Sequence, residues 1–178
     1  MSTLQVITLL TISLLLVFLL LLAGAYYNLT VTKHKIDQLF KQVLYYLQYY
    51  CDNLPYTIEA YRILNPNDQA RVQLLIGLKA ECLESKTNLK VLNIKFNQLH
   101  QALNELFALR HNDDKIAHDL RFIEAFTEFE SIYQDFSKAI AKYNDMCVFY
   151  NKHLEKNLGL LLKNFFKLQT FPSFDLCQ

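Results

Sequence analysis

The side chains with the most to offer chemically gather past the middle of the chain. His111 and His118 stand seven residues apart with Asp119 beside the second, and Glu124, Glu128 and Glu130 follow. Imidazoles and carboxylates are the usual metal donors and the usual general acids and bases, so their spacing decides what they can do. Di-metal sites in helical bundles draw a Glu-x-x-His motif from each of two helices, and no glutamate here has a histidine three residues on. Gly-x-Ser-x-Gly, His-Glu-x-x-His and a glycine loop for phosphate do not occur either. These groups read as solvated helix faces. The expectation is a non-enzymatic protein with no catalytic residue, metal, cofactor or small-molecule substrate. Cys51, Cys82, Cys147 and Cys177 include no Cys-x-x-Cys pair. They read as free buried thiols in a reducing compartment rather than as a redox or zinc motif.

Tyrosine supplies two further patterns. Tyr27-Asn28, Tyr143-Asn144 and Tyr150-Asn151 repeat one dipeptide, and the last two, seven residues apart, share a helix face. Such rings pack between helices while hydroxyl and carboxamide satisfy each other; the functional alternative is a polar pocket at a membrane surface for a lipid headgroup or a partner's chain end. Tyr45, Tyr46, Tyr49, Tyr50, Tyr56 and Tyr61 crowd one stretch, and two adjacent pairs cannot all face inward on one helix. Tyr45, Tyr49 and Tyr56 are therefore a candidate surface for a protein partner. Lysine gives a third pattern: Lys152, Lys156, Lys163 and Lys167 are spaced four, seven and four apart. On one continuous helix they fall within an arc of about 60°, opposite Leu154, Leu158, Leu161, Phe165 and Leu168. A basic amphipathic helix of this kind sets its lysines on lipid headgroups; packing on the body of the protein is the alternative.

Composition says what must position these groups. Of 178 residues 52% are apolar and 20% charged, which excludes a disordered chain. A net charge of +1 is too even for a nucleic-acid binder. Three glycines and three prolines leave few places for a sheet to turn, so an all-α fold is expected. Residues 4–25 are almost wholly apolar, with Gln5, Thr8, Thr11 and Ser13 the polar exceptions, and no charge precedes Lys33. About 22 residues rising about 1.5 Å each span a hydrocarbon core of about 30 Å. A cleaved signal peptide is the rival, with Ala23-Gly24-Ala25 as its processing site, but it lacks a basic n-region. A lipoprotein signal would need cysteine where Ala25 stands. The reading is a single-pass anchor in the inner (plasma) membrane. Lys33, Lys35 and Lys41 place the body in the cytoplasm with the N-terminus outside, and Tyr26 and Tyr27 fall at headgroup depth.

Beyond the anchor, apolar residues recur every three or four positions. A first helix carries Ile36, Phe40, Val43, Leu47, Cys51 and Leu54 and ends near Asn53, where Pro55 starts or kinks the next. The second carries Ile58, Tyr61, Val72, Leu75, Leu78 and Cys82, interrupted at Asn65-Pro66-Asn67-Asp68; the third carries Leu89, Leu92, Phe96, Leu99, Leu103 and Leu106. Asn112 or Asp113 caps a long fourth helix running to Leu154. These make an N-terminal transmembrane helix followed by an antiparallel up-and-down four-helix bundle. The expected divisions are an anchor at 1–26, the bundle at 27–157 and an amphipathic segment at 158–178. A first helix of about 26 residues climbs about 39 Å, so the fourth should return to the membrane near Tyr143 and bring all six Tyr-Asn residues to that end.

With the anchor, Tyr27-Asn28, Tyr143-Asn144, Tyr150-Asn151, the Asp52-x-x-Pro55 corner and the Phe residues at 165, 166, 171 and 174 in this order, the chain resembles membrane-anchored proteins of the LemA family over most of its length. The resemblance implies a cytoplasmic four-helix bundle without an established catalytic activity. Charged positions of the family pattern are here Tyr50, Tyr133 and Ile140, and the Phe-Pro that ends the last long helix is Asn157-Leu158. A buried ion-pair network is thereby expected to have become apolar.

Overall fold

Leucine-rich sequence carries the first helix, α1, from Thr3 to Leu64 without a break. The computed structural model describes residues 3–176 and is all-helical, with no strand among the described residues. α1 changes character along its length. Its apolar residues from Val6 to Leu21 are exposed on every side, and this part is long and apolar enough to cross a membrane. From Leu29 onward a single stripe is buried: Leu29, Ile36, Val43 and Tyr50, with Leu47, Leu54 and Tyr61 alongside.

Pro55 lies inside α1 and neither ends it nor starts a new helix, so of the two alternatives left open by the sequence the separate second helix is not the one found. A mid-helix proline costs about 3 kcal/mol. Here its ring points outward, while Cys51, Leu54 and Ile58 around it are buried. Burial of that stripe outweighs the lost hydrogen bond. Asn53 and Asp52, which could cap a helix starting at Pro55, bond within α1 instead: Asn53 Nδ2 donates to Tyr49 O at 3.0 Å and Gln48 Nε2 to Asp52 Oδ1 at 2.8 Å.

The first real turn is Asn65-Pro66-Asn67-Asp68, where the missing N–H and restricted neighbour of Pro66 stop α1. Asp68 caps α2, Gln69–Glu84, by accepting from Arg71 N at 3.2 Å, and also accepts from Tyr61 Oη at 2.6 Å. Asn88 caps α3, Leu89–Ala108, through Val91 N at 3.4 Å. Asp113 caps only the four-residue α4, Asp114–Ala117, so the long helix does not begin there as expected. That helix, α5, runs Leu120–Leu154, with Asp119 Oδ1 accepting from Phe122 N at 3.0 Å. After Lys156 in extended conformation comes α6, Asn157–Phe166, closed by Lys167 in the left-handed region at φ 51°.

The backbone divides into two compact units, residues 1–38 with 145–173, and 39–144 with 174–178. The second unit has a core of aromatic edges: Phe96 meets Tyr50 at 5.2 Å and Phe136 at 4.8 Å, and Tyr50 meets Phe129 at 4.9 Å. Phe174 closes it from the tail, 1% exposed, 5.9 Å from Phe136. In the first unit Tyr150 stacks edge-on to Phe171 at 5.2 Å, and Tyr26 packs on Phe166 at 4.6 Å.

Thr57 is the one buried polar residue among those described, and its hydroxyl has no hydrogen-bond partner there. A buried unsatisfied hydroxyl costs about 1–3 kcal/mol. Thr57→Val, which keeps the branched shape, should therefore stabilise the protein by about 1 kcal/mol or more, read as a higher urea midpoint in detergent solution at unchanged slope.

Candidate functional site

The late Tyr-Asn pairs sit on α5 two turns apart. Tyr143 and Tyr150 are buried, and the asparagines beside them turn to the backbone of the tail rather than to the tyrosine hydroxyls. In the first unit Asn151 Nδ2 donates to Phe171 O at 2.9 Å while its Oδ1 accepts from Phe171 N at 3.0 Å. In the second, Asn144 makes the same two bonds with Phe174, both at 2.8 Å. Each carboxamide thus pairs with one residue's N–H and C=O together, as a neighbouring β-strand would. These asparagines are positioned by helix α5 and spent on holding extended chain. Nothing periodic in the sequence announces that role.

The six residues expected at one end are only partly brought together. Asn28 and Tyr150 line one cavity of the first unit, about 710 Å³ in volume. Tyr27 is exposed, and Tyr143 and Asn144 belong to the second unit, where Tyr143 lies 5.5 Å from Phe40. The cavity is lined by Ala25 and Leu29 of α1, by Phe149 and His153 of α5 and by the first turn of α6. Its polar groups are Asn28, Thr32, Tyr150, His153, Lys156 and Asn157, and no carboxylate is among the lining residues. His153 donates from Nδ1 to Phe149 O at 2.8 Å. That bond leaves Nε2 for a ligand. Tyr150 is 2% exposed, and its hydroxyl has no hydrogen-bond partner among the described residues. Burial raises its pKa above 10.0, so the hydroxyl remains a donor at neutral pH.

Gly159 explains how α6 comes so close. A Cβ there would collide with the His153 carbonyl and sit 2.9 Å from Leu154 Cα, so only glycine lets the first turn of α6 lie against the end of α5. Of the four lysines expected along one helix, Lys152 is on α5, Lys156 in the break, Lys163 on α6 and Lys167 at its left-handed close. The interruption at Glu155 and Lys156 removes the continuous arc: the helix stops although the Phe-Pro is absent. The segment 158–178 is helical only to Phe166, and Leu160, Leu161, Phe165 and Phe166 on α6 are exposed.

In the second unit Tyr50 and Tyr133 surround His100, a residue the sequence did not single out. Its ring stacks on Tyr133 at 4.0 Å and 9°, Nδ1 pairs with Tyr50 Oη at 2.9 Å, and Nε2 with Asn104 Nδ2 at 3.1 Å. With the amide donating to Nε2, the neutral ring carries its proton on Nδ1. The expected apolar replacement is therefore a neutral hydrogen-bonded cluster. Tyr49 and Tyr56 also have partners in the unit, Glu128 at 3.0 Å and Glu124 at 3.3 Å; they and Tyr45 remain exposed, lying along uninterrupted α1 rather than around a turn. Those bonds raise both phenolic pKa values, Tyr49 chiefly through Glu128 and Tyr56 chiefly through desolvation and Glu124.

Cys51 and Cys82 are buried free thiols, and their mutual interaction together with burial holds the Cys82 thiol protonated. Cys147 is buried as well, and Cys177 lies outside the described residues. No group of three or more metal-ligating side chains occurs among the described residues. The sequence matches no protein-family model and no curated protein.

Burial lowers the pKa of His100 below 6.5. As pH falls the unfolded chain takes up this proton first, so the contribution is whole above pH 6.5 and is lost between that value and the lower folded one. The urea midpoint should drop from pH 7.5 to pH 5.5, and His100→Gln should flatten that drop; an unchanged profile in the variant would assign the loss to other groups.

Proposed function

We propose that this chain is a single-pass membrane protein of LemA type whose body, an antiparallel four-helix bundle, acts without catalysis as a tethered interaction scaffold. The observation that carries the reading is the change within α1, from apolar residues exposed all round at 6–21 to one buried stripe beyond Leu29. A helix apolar on every face needs an apolar solvent, whereas a single stripe needs only packed neighbours. Lys33, Lys35 and Lys41 put the body on the cytoplasmic side. A reporter active only outside the cytoplasm, fused after Gln178, should stay silent; activity would reverse the orientation.

The scaffold reading assigns contacts with a protein partner to Tyr45, Tyr49 and Tyr56, which are 65%, 42% and 49% exposed. Exposed tyrosines give large contact area at low entropic cost. Changing all three to serine should lower cross-linking to the partner by at least about tenfold, as loss of a hot spot does, while circular dichroism stays unchanged. Equal cross-linking in a folded triple variant would move the interface elsewhere. A second reading, a lipid-interacting protein that organises the membrane, is favoured by the cavity beside Ala25 and by the exposed apolar residues of α6.

A further inference from the structure

We infer that the cavity of the first unit is a binding site for the phosphate of an anionic phospholipid headgroup, with Lys156 and Tyr150 as its principal contacts. This rests on the reading of α1 as a membrane anchor. Asn28 and Thr32, which α1 contributes to the cavity, follow Ala25 within two turns, so an inserted span sets the opening at headgroup depth. A soluble pocket at that depth would compete with a surface dense in phosphodiesters.

The lining matches an anion joined to a hydrocarbon chain. Lys156 brings a full positive charge with no carboxylate among the lining residues to neutralise it. Tyr150 brings a hydroxyl that makes no hydrogen bond among the described residues, a donor free for an acceptor that enters the cavity. Asn28 and Asn157 add neutral carboxamide donors, as ester and glycerol oxygens require. Leu29, Val31, Phe149 and Leu158 form the apolar wall. About 710 Å³ lies within the range of small-molecule sites. Leu161 and Phe165, farther along the helix α6 whose first turn lines the cavity, are exposed and apolar, as on a helix that rests among acyl chains. Free phosphate offers the same oxygens without a chain to cover that wall.

The test uses the full chain in mild detergent, titrated with phosphatidylglycerol or phosphatidylcholine and followed by native mass spectrometry. One phosphatidylglycerol should be retained per chain where phosphatidylcholine is not. Lys156→Gln should reduce retention about fivefold, the weight of one lysine near an anionic surface. Tyr150→Phe should reduce it about threefold or more, the weight of one hydrogen bond. Lys142→Gln, an exposed change on α5 outside the cavity, should leave it unaltered. Equal retention of the two lipids, or equal weakening by the Lys156 and Lys142 changes, would overturn the site. Displacement of the lipid by an equal concentration of inorganic phosphate would overturn the lipid assignment in favour of a soluble phosphate. Alkaline carbonate extraction of membranes examines the anchor separately: release of a chain that still retains phosphatidylglycerol in detergent supports the site and removes the anchor.

Discussion

Burial at seven-residue intervals is the constraint on which the structure depends. On α1 it runs through Leu29, Ile36, Val43 and Tyr50, on α3 through Leu92, Leu99 and Leu106, and on α5 through Phe122, Phe129, Phe136, Tyr143 and Tyr150. A side chain repeated every seven residues stays on one face with only about 20° of drift per heptad, so each helix has a continuous strip to bury. That is why α1 survives Pro55: the strip passes through Leu47, Leu54 and Tyr61 while the proline faces away. It also explains the cost carried at Thr57, which occupies the place seven residues after Tyr50 and is buried although polar.

The same strip made much of the fold legible in the sequence. Helical class, the apolar span, the turn at Asn65 to Asp68 and the run of α3 follow from period and punctuation alone. Pro55 left two readings open because local propensity alone does not weigh the stripe on both sides of it. The start of α5 was misplaced because Asn112, Asp113 and Asp119 are all good caps, and spacing does not choose among them. Gly159 is where two backbones meet, and no periodicity in the sequence marks it. The lysine arc presumed a continuous helix across Glu155 and Lys156, and no proline or glycine stands there to mark the break.

Neutrality governs the polar interior of the second unit. Where the LemA resemblance would place charges, Tyr50 and Tyr133 hold His100 between a hydrogen bond and a stacked ring. Buried ion pairs return little of their desolvation cost, and well-packed neutral groups of similar volume are often as stable. Tyr50, Tyr133 and His100 give the unit aromatic area without charge, and burial resists protonation of His100.

Synthesis imposes an order on the Asn144 and Phe174 contact. Asn144 leaves the ribosome 30 residues ahead of Phe174. At about 5–20 residues per second the delay is a few seconds, long compared with the microseconds in which helices form. Through that interval the faces of Phe96 and Phe136 that Phe174 later covers are open to solvent, and the Asn144 carboxamide is paired with water. The second unit therefore completes its core only once Phe174 has emerged, and for those seconds its aromatic face is available to a chaperone or to another nascent chain.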